Sequence, residues 1–190
     1  MEKDSLHVFL EACFEDLEPY LLSPVLYWRL TLPLKGVEGD MLTPGSLCLA
    51  VRKFIFLAGH IPPTESSFDP VKTMDSIINR HPAIWSKKVN REITDRSHLW
   101  SNYIQELAYD PADHWSSYPM AARWRVMCDL LSIYKYNLSN RVLDDIQNTD
   151  QQLRNISEPG DFVLEKDLTR AFSKEIHWYL FIKVPKQGGK

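Results

Sequence analysis

Asp110-Pro111-Ala112-Asp113-His114-Trp115-Ser116-Ser117-Tyr118 brings two carboxylates, an imidazole, two serine hydroxyls and, with the preceding Tyr109, three aromatic rings into one short stretch. A carboxylate beside an imidazole can pass a proton, and an indole next to them can anchor a partner. Pro111 and the serines mark the stretch as a connection between helices, and connections carry a disproportionate share of functional groups. His114, Trp115 and Asp113 are therefore the candidate partner-contacting residues, with Trp115 as the anchor. The competing expectation is architectural. In it Trp115 plugs the end of a helical bundle, since tryptophan is mostly buried, and Asp113 or Ser117 caps the helix that Pro119 starts.

Other constellations are weaker. Asp95-x-x-His98, with Glu92 a turn earlier, has metal-ligand types at helical spacing. Metal sites in helical bundles draw ligands from facing helices, typically through paired Glu-x-x-His motifs, and none occurs in the chain. An exposed polar face is the expectation there, with no metal and no cofactor. His7 and Glu11, helical neighbours, are expected to form a solvated ion pair. Trp85-Ser86-Lys87-Lys88 with Arg91, and Arg123-Trp124-Arg125, contain the residue types that grip phosphate and stack on bases. Both tryptophans fall in phase with apolar stripes, however, and the formal net charge is −3, so nucleic acid ranks as an unfavoured partner. Zinc-hydrolase His-Glu-x-x-His, the phosphate-binding Gly-x-x-x-x-Gly-Lys and Gly-x-Gly-x-x-Gly loops, and the Gly-x-Ser-x-Gly elbow are all absent from the sequence. Cys13, Cys48 and Cys128 are dispersed within apolar patterns, which suits small core residues better than a disulfide framework or a metal cluster.

The elements that would position these residues are mostly helical. Leu6, Phe9, Leu10, Cys13 and Leu17 predict a helix over 5–18, stopped by Pro19. Thr43-Pro44 is a cap-plus-proline start for a second helix ending at Gly59, and Asp69-Pro70 repeats the signal for a short third one. A loop over 60–68 separates them. Trp85, Val89, Ile93, Trp100, Ile104 and Leu107 predict one long helix over 83–108, with the Arg96 stem covering apolar surface. The stripe from Met120 through Trp124, Met127, Leu131 and Val142 to Leu153 fits one helix or two over 119–156. Ser139, a competent cap beside poor helix formers, favours two. Pro159-Gly160 predicts a turn and 167–172 a helical turn. Alternation over 25–32 and 176–184 predicts two strands, expected to pair with each other near the chain ends.

The fold class expected is mainly α: a single-domain helical bundle of five to seven helices with a minor two-stranded antiparallel β element near the termini. Residues 1–190 form that domain, with 186–190 as a frayed tail. At 190 residues and 44% hydrophobic composition, the chain can build a core without metal or disulfide. No stretch has the apolar length of a membrane span, and the acidic N-terminus lacks the pattern of a secretion signal, so a cytoplasmic location is expected. The functional expectation is a non-catalytic protein-interaction module or accessory subunit that binds a protein partner or self-associates. The alternatives are an enzyme with a site assembled from dispersed residues around 109–118, and a weak nucleic-acid-binding accessory protein.

Overall fold

The computed structural model describes residues 3–31, 41–58, 68–134 and 137–185. The expected stop at Gly59, most of the 60–68 loop and the 186–190 tail lie outside the described residues. The fold is mainly α, with 74% of the described residues helical. Its helices are α1 (Lys3–Leu22), α2 (Pro44–Ala58), α3 (Pro70–Arg80), α4 (Pro82–Tyr109), α5 (Pro111–His114), α6 (Tyr118–Leu131) and α7 (Asn140–Ile156). Two short antiparallel ladders accompany them: β1 (Trp28–Arg29) with β2 (Met41–Leu42), and β3 (Glu158–Pro159) with β4 (Ile182–Lys183). The chain divides into two compact units, Met1–Glu92 with Leu130–Tyr136, and Ile93–Asp129 with Asn137–Lys190.

In the first unit, α1 buries Leu6, Phe9, Leu10, Cys13 and Leu17, the face that helical spacing predicts. Contrary to expectation, the helix runs through Pro19 to Leu22. An interior proline costs about 3 kcal/mol of helix stability. Continuing the helix buries Tyr20 and Leu21 almost completely and seats the Tyr20 hydroxyl on the Leu26 carbonyl at 2.9 Å. Two bases of α4 meet the chain just past the end of α1, where the helix dipole favours positive charge. Lys88 Nζ donates to the Ser23 and Val25 carbonyls, and Arg91 donates to Pro24. Lys88 also lies 4.0 Å over the Tyr20 ring, and burial, with the nearby Arg91 charge, lowers the pKa of its ammonium.

These contacts explain why the strand expected over 25–32 shrinks to two residues and pairs with Met41–Leu42 rather than with the C-terminal segment. Every backbone polar group needs a partner, but a ladder is only one source. Here side chains take the carbonyls of Pro24, Val25 and Leu26, and Asp16 accepts from Thr31 N at 2.8 Å and from the Trp28 indole at 3.1 Å.

The cap signals at the other helix starts hold. Asp69 accepts from Lys72 N at 3.1 Å and Pro70 opens α3, which buries Met74, Ile77 and Ile78. Hydrogen bonding from the Lys72 backbone lowers the Asp69 pKa. Glu18 of α1 reaches His81 Nε2 at 2.9 Å and Arg80 at 3.1 Å. The His81 hydrogen bond, followed by the Arg80 charge, holds the Glu18 carboxyl below its ordinary value of 4.5. A carboxylate whose folded pKa is depressed contributes stability above its unfolded pKa, and that contribution disappears as pH falls through the folded value. Thermal melts of the native chain and Glu18→Gln should therefore differ above pH 4.5 and converge in acid. A gap that persists unchanged into acid would contradict this.

In the second unit, α6 and α7 are separate helices, as Ser139 implies. Its side chain accepts from Arg141 N at 3.3 Å, and Asn137 takes a left-handed φ of 54°. The buried face of α6 keeps Leu131 of the expected stripe but not its earlier positions. Met120 is exposed and Trp124 half-buried, while Tyr118, Ala121, Ala122 and Val126 are sealed. The turn expected at Pro159-Gly160 is instead the end of β3 and the residue after it. The predicted strand over 176–184 is a 3₁₀ turn, Trp178–Leu180, followed by the two-residue β4. Tyr118 hydroxyl takes the Tyr179 carbonyl at 2.7 Å, and Tyr179 is buried although strand alternation would put it opposite the expected inward face. A 3₁₀ turn allows adjacent Tyr179 and Leu180 both to be buried, which a strand with one face in water does not.

Candidate functional site

The stretch 109–118 is more regular than a loop. Asp110 caps α5, a helix start ahead of the one at which Asp113 or Ser117 was expected to act. Its Oδ1 accepts from Ala112 N at 3.1 Å and Asp113 N at 3.2 Å, with Pro111 in the first helical position of α5. A 3₁₀ turn, Trp115–Ser117, leads directly into α6 at Tyr118. The proline expected to start α6, Pro119, is thus its second residue. Tyr103 of α4 ties the turn down from beneath: its hydroxyl donates to the His114 carbonyl, which also accepts from Ser117 Oγ at 3.0 Å.

Of the three candidate residues, the structure brings one to a cavity. Trp115 and Ser116 line a groove of about 620 Å³ whose other wall is the β3–β4 pair and the strand-like segment after Pro159. His114 and Asp113 are not in that lining. His114 turns toward α4, with Nδ1 3.8 Å from Glu106 and its ring edge-on to Tyr103 at 6.3 Å. Asp113 is exposed in the single turn of α5. No proton-passing couple forms between the two.

Trp115 is seated on a buried ring. Its ring stacks on Tyr118 with centroids 4.8 Å apart and planes 18° from parallel. Tyr118 is fully buried, and its ring contacts Trp100 at 6.1 Å and Tyr103 at 6.3 Å. Aromatic pairs of this kind are worth about 0.5–1.5 kcal/mol each beyond their burial. Burial raises the Tyr118 and Tyr179 hydroxyl pKa values well above the usual phenol value, so both stay neutral donors.

Below this aromatic column lies an ion network that sequence reasoning missed. Arg125 grips Asp150 with Nε and Nη2, at 3.1 and 2.9 Å, and also pairs with Asp129 one turn along α6. Asp150 accepts from the Trp100 indole at 3.0 Å, and Asp129 accepts from the Tyr179 hydroxyl at 2.6 Å. The guanidinium lies 5.0 Å over the Tyr179 ring. Although burial opposes its charge, hydrogen bonds and charges from the two aspartates push the Arg125 pKa upward. The i,i+4 spacing of Arg125 and Asp129 is the one local signal of this network; Asp150 comes from α7. Arg123 is likewise paired, with Glu165 at 2.8 Å. Both arginines of the Arg123-Trp124-Arg125 cluster, and Lys88 and Arg91 of the other, thus bond within the chain.

The opposite wall of the groove depends on Gly160. A Cβ there would lie 2.6 Å from the Ile182 carbonyl carbon and 2.7 Å from Lys183 N, closer than packed atoms allow. Only glycine lets the segment press against β4, and just before that strand Gly160 N donates to Phe181 O and Val163 N donates to Leu180 O, both at 2.9 Å. Phe162 packs on Phe181 at 5.1 Å and faces the groove. Asp161 and Lys183 are the charged residues in the lining, and Lys183 pairs with Glu158 at 3.5 Å.

In the first unit, Glu92, expected on a polar face, is wholly enclosed. It accepts from Thr43 Oγ1 and Gly45 N, each at 2.7 Å, so it closes the start of α2. Thr43 also caps locally, accepting from Ser46 N at 3.1 Å while Ser46 Oγ accepts from Thr43 N at 2.9 Å. Near the same helix, burial, then Glu92 and Asp75, raises the Cys48 thiol pKa, and burial pushes Tyr134 to about 12. Asp95 is half-buried and His98 exposed. Among the described residues no three His, Cys, Asp or Glu side chains are grouped to hold a metal, and no helix is long and apolar enough to cross a membrane. His7 and Glu11 approach to 3.6 Å, and His7 also meets Phe68 edge-on at 4.3 Å. Cys13, Cys48 and Cys128 are buried free thiols. Compared with protein-family models, with curated proteins and with solved structures, the chain matches none.

Proposed function

We propose that the protein is a cytoplasmic, non-catalytic interaction module that holds a segment of a protein partner in the groove beside Trp115. The observation that carries this reading is the placement of Trp115 on the groove wall, stacked on a buried tyrosine. A large ring already held in place loses little freedom on binding, which is what makes tryptophan effective at interfaces. Loop capping by Asp110 and anchoring by Tyr103 add to that preorganisation. Three buried free thiols fit a reducing compartment.

Photo-crosslinking in cells tests the reading. Benzoylphenylalanine placed at Ser116, which lines the groove, should give a discrete protein adduct that Trp115→Ala abolishes. The same group at exposed Arg141 on α7 should give none. Identical adduct patterns at the two positions, or a Ser116 adduct indifferent to Trp115, would overturn it.

A further inference from the structure

We infer that the segment held in the groove is an extended, proline-bearing peptide carrying a basic residue. This rests on the reading of the groove as an interaction site and specifies the chemistry of its occupant.

The lining is suited to rings packing on rings. Trp115 and Pro119 stand on one wall, and Pro159 and Phe162 on the other. Flat aromatic grooves recognise polyproline II segments, which arrive already extended and so lose little conformational entropy on binding. Hydrogen-bonding capacity points the same way. The Trp115 indole N–H and the Ser116 hydroxyl make no hydrogen bond among the described residues, and neither atom is a sealed, unsatisfied one. Both can donate to peptide carbonyls. A polyproline II segment presents its carbonyls unpaired, and at each proline it has no N–H seeking an acceptor. Addition of a new strand is disfavoured, because the β3–β4 ladder is two residues long and Pro159, half of β3, donates no N–H.

Charge selects the basic residue. The positive charge of Lys183 is answered by Glu158 at 3.5 Å. Asp161, exposed in the lining, has no ion-pair partner among the described residues. A lysine or arginine on the incoming peptide would pair with it. A nucleic-acid strand, whose bases could also stack on Trp115, would instead bring phosphates against this carboxylate.

The test uses fluorescence anisotropy of the full-length chain with a fluorescein-labelled oligoproline bearing one central arginine. Saturable binding is expected, weakened by at least about tenfold in Trp115→Ala. Replacing the peptide arginine by glutamine should weaken binding about two- to fivefold, and that discrimination should vanish in Asp161→Asn, an exposed site whose change leaves the fold alone. Far-UV circular dichroism checks that Trp115→Ala is folded, and Trp115→Phe, which can still stack on Tyr118, should retain partial binding. The inference is overturned if the peptide does not bind, if its all-alanine counterpart binds equally, if Trp115 is irrelevant, or if a thymidine oligomer binds more tightly. A Trp115-dependent photo-adduct together with failure of the proline peptide would leave the interaction reading standing and remove only this occupant.

Discussion

Arg125→Ala should destabilise the second unit by about 3–5 kcal/mol, the loss expected when one partner of a buried ion pair is removed. The Arg125 side chain is only 12% exposed, and Asp150 and Asp129 beside it are 15% and 25% exposed. Removing the guanidinium leaves the Asp150 and Asp129 carboxylates without the cation they share, while the Trp100 indole and the Tyr179 hydroxyl still donate to them. Arg125→Lys keeps the charge but cannot form the two-pronged contact with Asp150, so it should fall between the native chain and the alanine variant. Urea unfolding followed by near-ultraviolet circular dichroism reads the loss, since Trp100 packs against Tyr118 and Tyr179 at 6.1 and 6.2 Å. A midpoint for Arg125→Ala within error of the native value would show that the network contributes little. Because the Trp115 platform rests on Tyr118, and Tyr118 donates to the Tyr179 carbonyl, the same variant should also loosen the groove wall.

Glu92→Leu is expected to cost about 3 kcal/mol, from the loss of two hydrogen bonds to a charged acceptor, each worth about 1.5–3 kcal/mol, partly offset by apolar burial. The leucine would leave the Gly45 N–H at the start of α2 and the Thr43 hydroxyl without this acceptor. Glu92→Gln should lose roughly half as much, because a carboxamide offers one accepting oxygen and turns an NH₂ toward the other donor. Chemical denaturation of the two variants side by side distinguishes the effects. A Gln variant as stable as the native chain, with the loss confined to Leu, would mean that packing volume, rather than acceptance of these donors, is what Glu92 contributes.

The helices were legible because their determinants are local. Asp69-Pro70, Thr43-Pro44 and Ser139 act on backbone amides within a few residues, and the Trp85–Leu107 stripe repeats at helical spacing. Trp115 was recognisable as a candidate because its short connection concentrates carboxylates, an imidazole and aromatic rings. Its neighbours His114 and Asp113 looked equally suited by residue type, and only the turn of the 3₁₀ segment separated them from the groove.

What failed to show in the pattern shares one cause: a partner that neither helical periodicity nor capping specifies. Pro19 reads as a helix stop until Tyr20 finds the Leu26 carbonyl, and 25–32 reads as a strand until Asp16, Lys88 and Arg91 claim its backbone groups. Glu92 has the composition of a solvated residue, yet it is enclosed because the start of α2, 47 positions away, offers it an amide. Arg125 reads as a surface cation until Asp150 arrives from 25 positions on. Periodicity and capping thus settled which segments coil and which residues are apolar enough to be buried. Tertiary packing alone settled which polar groups go inside with them, since desolvating a charge is tolerated only where a specific, distant partner meets it.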